Sequence, residues 1–128
     1  MFPSHCATDG SEWAPGGGIF ALCLRDGTVR QIAGELKGGV FGRMDLSFDG
    51  NKIVFDWKAG PDDGYRIYEV GIDGQGLRRV LDPPADEAAI VKTYRNWYHH
   101  GTDDMHPCWL PDGGIAFVST RCMNGTLC

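Results

Sequence analysis

The sequence of 128 residues predicts an all-β protein made of short antiparallel strands. Nineteen glycines and seven prolines, without a collagen-like period, indicate many tight turns between short ordered segments. Short apolar or alternating runs are separated by Asp-Gly pairs, which are typical of hairpin turns. These pairs are interpreted as turns because glycine tolerates a positive φ and aspartate bonds the neighbouring backbone.

Two sequence units each occur twice along the chain. One unit is an apolar run that ends in an Asp-Gly turn, and it is found at Ile19–Arg30 and at Tyr65–Arg79. The other unit joins an Asp-Gly turn to an Ile-x-Phe run, and it is found at Met44–Trp57 and at Met105–Ser119. Repeats of about 40–50 residues with four short strands are typical of β-propeller blades. The sequence therefore predicts a fragment of a β-propeller that contains a half blade, a full four-stranded blade and a second half blade.

The predicted strands follow this order along the chain. Residues 1–17 are predicted to be an irregular segment, and residues 18–128 the partial propeller. The strands of the first half blade are predicted at Ile19–Leu24 and Thr28–Ala33. Those of the full blade are predicted at Arg43–Ser47, Lys52–Trp57, Arg66–Ile72 and Leu77–Leu81. The last half blade has its strands at Pro107–Trp109 and Gly114–Thr120.

An insertion at residues 83–103 interrupts the repeat. Two prolines stop the preceding strand, and early acidic residues suit a helix N-terminus, so a short helix is predicted at Ala85–Thr93. Trp97 and Tyr98 are the candidate ligand-binding residues of this insertion, whereas Trp57 and Trp109 are assigned to packing between sheets. We expect Asn96–His106 to lie on the propeller face around the central channel.

Four potential metal ligands are concentrated at the end of the insertion, namely His99, His100, His106 and Cys108. Imidazole and thiolate groups suit zinc or another transition metal, and closed structural zinc sites need four such donors. Regular strand alternation would place His106 and Cys108 on one face. Asp103 and Asp104, which lie between His100 and His106 in the sequence, would raise the basicity of any histidine that they contact. The alternative is that the histidines are exposed or cap a strand and that Cys108 is an ordinary buried residue.

Charge and composition exclude several functions. A net charge of −5 and a pI of about 5.2 argue against nucleic-acid binding, which needs clustered basic residues. No apolar run approaches the length of about 20 residues that a membrane-spanning helix needs. The five cysteines include no CxxC or CxxCH motif, and the spacing of Cys122 and Cys128 allows a disulfide only in an oxidising compartment.

Three segments resemble the TolB-like, or WD40-like, propeller repeat: DLSFDGNKIVFDW, YRIYEVGIDGQGLRRVL and HPCWLPDGGIAFVSTR. The resemblance covers roughly Gly18 to Arg121. More narrowly, PGGGIF followed by MDLSFDG and by DDMHPCWLPDGGIAFVSTRC is similar to the propeller segment of the hydrazine synthase alpha-subunit-like proteins, which are large exported bacterial proteins. The resemblance implies a protein-binding or scaffold module. Since the chain has no CxxCH motif, no haem attachment is carried over to any residue.

The expected function is that of a non-catalytic propeller segment in a larger periplasmic or otherwise exported protein, although this sequence contains no signal peptide. Its expected partners are the remaining blades and a protein or ligand bound at its loops. The alternative is the propeller part of a metal-dependent or haem-containing oxidoreductase with a His/Cys metal site in the insertion. Half blades expose strand edges, so we also expect the isolated chain to self-associate.

Overall fold

The structure is a computed structural model that describes residues 14–94 and 101–121. Within these residues the chain is mostly β, with eight strands and one short helix. The strands are β1 (Ile19–Leu22), β2 (Val29–Ile32), β3 (Val40–Leu46), β4 (Lys52–Lys58), β5 (Arg66–Gly71), β6 (Arg78–Arg79), β7 (Asp104–Trp109) and β8 (Ile115–Ser119), and the helix α1 is Glu87–Tyr94. The all-β prediction is confirmed at this level, and each predicted strand has a counterpart.

The main boundary differences lie in two strands that contain bulges. β3 begins at Val40 rather than at Arg43, and its pairing register with β4 shifts between Phe41 and Met44. β7 begins at Asp104 rather than at Pro107, and its register with β8 shifts between Met105 and Cys108. A β-bulge adds a residue to one strand and interrupts the two-residue alternation, so alternation alone did not predict the full length of these strands.

The strands form three antiparallel sheets. The first sheet pairs β1 with β2, the central sheet has the order β3-β4-β5-β6, and the last sheet pairs β7 with β8. The turns between β3 and β4 and between β7 and β8 place Gly50 and Gly113 at φ values of 72° and 86°, where glycine is favoured. This grouping of two, four and two strands agrees with the order of the sequence repeats.

Other sheets lie against both faces of the central sheet. Its first face carries the side chains of Ile53, Phe55, Trp57, Tyr68 and Val70, and its second face those of Val54, Asp56, Lys58, Ile67 and Glu69. On the first face, Ile53 and Phe55 form one buried cluster with Ile19 and Ile32 of the first sheet. On the second face, β7 lies against β3 and β4. Burial of both faces explains why β4 is buried almost continuously rather than at every second residue.

The insertion contains the predicted helix. α1 begins at Glu87 and ends at Tyr94, close to the predicted range of Ala85–Thr93. Glu87 lies in the first turn and Lys92 in the last, where their charges complement the helix dipole. In the part of the chain that the structure describes, no helix has the length and apolarity required to span a membrane.

Candidate functional site

A buried carboxylate joins the two bulged strands. Asp56 lies in the middle of β4 with only 1% of its surface exposed. Its Oδ1 accepts a hydrogen bond from the backbone N–H of Arg43 at 2.5 Å, and its Oδ2 accepts one from the backbone N–H of His106 at 2.8 Å. A Cβ atom at Gly42 would lie 2.0 Å from Asp56 Oδ1, so a larger residue there would displace the carboxylate. Desolvation raises the pKa of Asp56, although both backbone hydrogen bonds act to lower it.

A second carboxylate supports the same contact between sheets. Asp45 Oδ2 accepts a hydrogen bond of 2.8 Å from the backbone N–H of Trp109. Asp45 and Asp56 thus bind two backbone donors of β7 from the central sheet, and we call this set of contacts the carboxylate junction. At the junction, His106 has a φ of 55°, which is uncommon for a residue with a side chain. The bond from its N–H to Asp56 helps to hold this conformation.

Asp103 and Asp104 are also engaged in structural contacts. Asp103 Oδ1 accepts a hydrogen bond of 2.9 Å from the backbone N–H of Tyr65. Asp104 Oδ1 accepts one of 2.8 Å from Arg121 Nε, and its Oδ2 accepts one of 2.6 Å from Arg121 Nη2. This bidentate pair raises the pKa of Arg121 further, chiefly through the hydrogen bonds to Asp104. Asp104 therefore holds Arg121 at the end of the last sheet.

A buried lysine lies at the end of β4. Lys58 is 7% exposed, and its ammonium group lies 6.0 Å from the ring centroid of Tyr65. Desolvation lowers the pKa of Lys58, while the charges of Asp103, Asp63 and Asp62 act in the opposite direction. The surrounding carboxylates thus partly compensate for the burial of this cation.

The two ends of the insertion are fastened to each other and to the central sheet. Glu87 Oε1 accepts hydrogen bonds from Arg66 Nη2 at 2.5 Å and from both the backbone N–H and the hydroxyl of Thr102 at 2.7 Å. Arg66 also donates to the carbonyl groups of Tyr65 and Thr102. Desolvation, the largest single influence, would raise the pKa of Glu87, but the bonds from Thr102 and Arg66 outweigh it and lower that pKa. We call this set of contacts the insertion clamp.

A cleft of about 140 Å³ lies between the insertion clamp and the first face of the central sheet. Its lining includes two aromatic rings, two guanidinium groups and two carboxylates, from Trp57, Tyr68, Arg66, Arg79, Asp63 and Glu87. The rings of Trp57 and Tyr68 meet edge to face, with centroids 5.7 Å apart. Arg79 Nη2 lies 2.5 Å from Asp82 Oδ1, whose side chain is 88% exposed. An exposed pair of this kind contributes little free energy, so Arg79 can exchange its partner for a ligand.

The sequence-predicted metal ligands are only partly within the described residues. His106 is half-buried in the bulge of β7, and Cys108 is exposed. The register shift in β7 removes the regular alternation from which a shared face was expected, and the alternative of a buried Cys108 is wrong. His99, His100, Trp97 and Tyr98 lie outside the described residues. Among residues 14–94 and 101–121, no three or more His, Cys, Asp or Glu side chains are grouped so that they could hold a metal ion.

The packing role of the tryptophans is confirmed for Trp57, which lies against the core cluster of the first face. Trp109 is half-buried, and within the described residues its indole N–H is buried without a hydrogen-bond partner.

Sequence reasoning missed the residues that organise the junction and the clamp. Asp56 was detectable, because a carboxylate interrupts the apolar segment KIVFDW and a buried charge requires partners. Glu87 was interpreted only through the helix dipole, and its partner Arg66 was assigned only to a strand. Their pairing spans 21 residues of sequence and had no local signal.

The sequence matches no known protein family, and it also matches no curated protein. The geometry of the residues and the internal repeats are therefore the basis for assigning a function.

Proposed function

We propose that the chain is a β-propeller segment of a larger exported protein and serves as a non-catalytic scaffold for protein or ligand binding. The observation that carries this proposal is the central sheet, whose four antiparallel strands follow chain order while other sheets cover both faces. Propeller blades are four-stranded sheets of this kind, arranged side by side around an axis. The first and last sheets then correspond to the outer half of one blade and the inner half of another.

The contact between β3 and β7 supports a radial arrangement. Each is the first strand of its sheet, and the two strands lie against each other. In a propeller the first strands of successive blades meet beside the central axis. The carboxylate junction lies at this meeting point, since Asp45 and Asp56 bind the backbone of β7. Its role in this arrangement is to hold neighbouring blades together.

The uses of the buried charged groups support a scaffold rather than an enzyme. The carboxylates of Asp56, Asp104 and Glu87 accept hydrogen bonds that connect strands or fasten the insertion. Groups engaged in this way stabilise one arrangement of the sheets, because releasing any of them would leave a buried polar group without a partner. The cleft beside the insertion clamp is the concave surface that we assign to ligand binding.

Metal content tests the scaffold against the oxidoreductase alternative. We expect purified protein, prepared without chelator, to contain no stoichiometric zinc, copper or iron by elemental mass spectrometry. We also expect EDTA to leave the unfolding temperature unchanged, because hydrogen bonds rather than metal ligands hold the carboxylate junction and the insertion clamp together. Stoichiometric metal that disappears in His106→Ala would contradict the scaffold proposal and favour the metalloenzyme.

The chemistry of the cleft favours a small carboxylate with a flat apolar body. Two aromatic edges offer an apolar surface, and Arg79 can bind a carboxylate with two parallel hydrogen bonds. A volume of about 140 Å³ is comparable to engineered cavities that accept a single aromatic ring. Benzoate is therefore a suitable probe of this site.

Titration with benzoate should shift the backbone amide NMR signals of residues that line the cleft, with a Kd on the order of 1 mM. We expect Arg79→Gln to weaken this binding about tenfold, which corresponds to one lost charge-assisted contact. Arg78→Gln is the matched control, because its guanidinium bonds Glu69 outside the cleft. Equal effects of the two substitutions would argue against this site.

A further inference from the structure

Among the strand edges that are unpaired within the described residues are those of β1 and β8. β1 pairs only with β2 and β8 only with β7 in this part of the chain. Alternate residues of an antiparallel strand direct their backbone groups to opposite edges. Because Cys23 N–H donates to Thr28 O, the backbone groups of Phe20 and Leu22 point away from β2. By the same reasoning, the bond from Leu110 N–H to Gly114 O directs the backbone groups of Phe117 away from β7.

The central sheet contains the strand pairing that these two edges lack. Its first hairpin, β3–β4, repeats in β7–β8, where Ile53 and Phe55 correspond to Ile115 and Phe117. Its second hairpin, β5–β6, repeats in β1–β2, where the segment IYEV at residues 67–70 corresponds to IFAL at residues 19–22. The two hairpins are joined in the central sheet by antiparallel pairing of β4 with β5, which sets Ile53 opposite Val70 and Phe55 opposite Tyr68.

We infer that β8 of one copy of the chain pairs antiparallel with β1 of a second copy and completes a four-stranded sheet. The register of the central sheet, carried over by the repeats, sets Ile115 opposite Leu22 and Phe117 opposite Phe20 of the second copy. The two edges of one copy cannot meet each other, because the first and last sheets lie on opposite faces of the central sheet. The pairing therefore requires two copies. This inference rests on the proposed propeller arrangement and applies to the isolated chain, because the remaining blades of a larger protein would pair with the same two edges.

The exposed apolar side chains fit this assembly. Phe20 and Leu22 are each 57% exposed, whereas Val70, the counterpart of Leu22 in the central sheet, is 1% exposed. Met44 and Leu46 of β3 are 54% and 49% exposed on the first face, beside the region that the first sheet covers. Since the β7–β8 hairpin lies against β3 on its second face, the same hairpin from another copy would cover these two residues on the first face. The assembly thus buries apolar surface that the single chain leaves in water.

The stoichiometry follows from the strand count. Within the described residues, each copy supplies one complete sheet and two half sheets, which is equivalent to two four-stranded sheets. Propellers close with about four to eight blades, so a ring built from these sheets alone would contain about two to four copies. Pairing between edges, rather than between apolar faces alone, gives this association a fixed register and direction.

The test uses two proline variants that block different edges. Leu22→Pro removes an N–H from the free edge of β1, and Phe117→Pro removes one from the free edge of β8. At tens of micromolar, roughly the range in which exposed edges associate, we expect the wild type to form oligomers by light scattering and each variant to be monomeric. An equimolar mixture should form a one-to-one pair, because the Leu22→Pro copy still offers β8 and the Phe117→Pro copy still offers β1.

Val29→Pro is the matched control, since the Val29 N–H points to the outer edge of β2, which this assembly leaves unpaired. We expect it to associate like the wild type. Circular dichroism checks that each variant keeps its sheets. If a proline variant does not, lysine is introduced at the same position instead, because a charge also blocks pairing at a strand edge. A monomeric wild type, or folded variants that fail to pair when mixed, would overturn the inference. Metal analysis and benzoate titration of monomeric Leu22→Pro test the proposed function separately.

Discussion

Replacing Asp56 with alanine is expected to lower the free energy of unfolding by about 3 kcal/mol, because two backbone N–H groups lose their acceptor in a largely buried junction. The affected donors belong to Arg43 and His106, which lie in the bulges of β3 and β7. The loss should therefore loosen the contact between the central and last sheets. Urea denaturation followed by tryptophan fluorescence measures the change.

Asp45→Ala is the matched control for this substitution. Asp45 is half-buried and accepts one hydrogen bond from β7, so its loss should cost only about 1 kcal/mol. An equal loss in the free energy of unfolding for the two substitutions would show that the bonds of Asp56 to both bulges stabilise the protein no more than the single bond of Asp45.

The pH dependence of the Asp56→Ala effect has a defined sign. Burial raises the pKa of Asp56 in the folded state above its ordinary value of 3.8. The stabilisation from its protonation is complete below about pH 3.8 and is lost as the pH rises through the raised pKa. The difference in stability between wild type and Asp56→Ala should therefore be larger at about pH 4 than at about pH 8.

Glu87→Ala is expected to destabilise the protein by about 3 kcal/mol, since it leaves the buried guanidinium of Arg66 without its carboxylate. The same change removes the acceptor for the backbone N–H and the hydroxyl of Thr102. The two ends of the insertion would then be held less firmly, and amide hydrogen exchange near Thr102 should accelerate. Urea denaturation gives the magnitude, and hydrogen exchange shows where the loss occurs.

Asp86→Ala provides the control for charge near the helix N-terminus. Asp86 precedes Glu87 and is exposed, so its removal should change the free energy of unfolding by less than about 0.5 kcal/mol.

Because the pKa of Glu87 is lowered from 4.5, the contribution of its ionised carboxylate to stability is present above about pH 4.5 and is lost as the pH falls through the lowered value. Glu87→Gln should flatten this acidic part of the stability curve, and an unchanged slope would argue against the insertion clamp.

Short-range sequence signals predicted the strands and the helix well. Asp-Gly turns and apolar runs placed a strand near every one that is observed, and the prolines with early acidic residues placed α1 within two residues of its observed start. These signals are local, because a turn or a helix cap depends on residues that are close in the chain. The two bulges were not predicted, since each depends on a carboxylate from another part of the sheet system.

The candidate site was predicted less well for the same reason. His106 and Cys108 were selected by residue type, whereas their observed environments follow from the bulge between Met105 and Cys108. The contacts that organise the region involve residues that are distant in sequence, such as Asp56 with His106 and Arg66 with Glu87. No local pattern specifies which buried charge meets which partner.

By itself the sequence determined the all-β class, the strand order and the grouping of strands into two, four and two. Turns and repeat units depend on residues that are close together in the chain, so they can be recognised without the tertiary structure. Only the tertiary structure decided that Asp56 joins two bulges, that Glu87 closes the insertion against Arg66, and that a cleft opens beside them. These features depend on the stacking of sheets, which brings distant polar groups together away from water. There each group needs a partner, and the geometry of the packed sheets selects which one it finds.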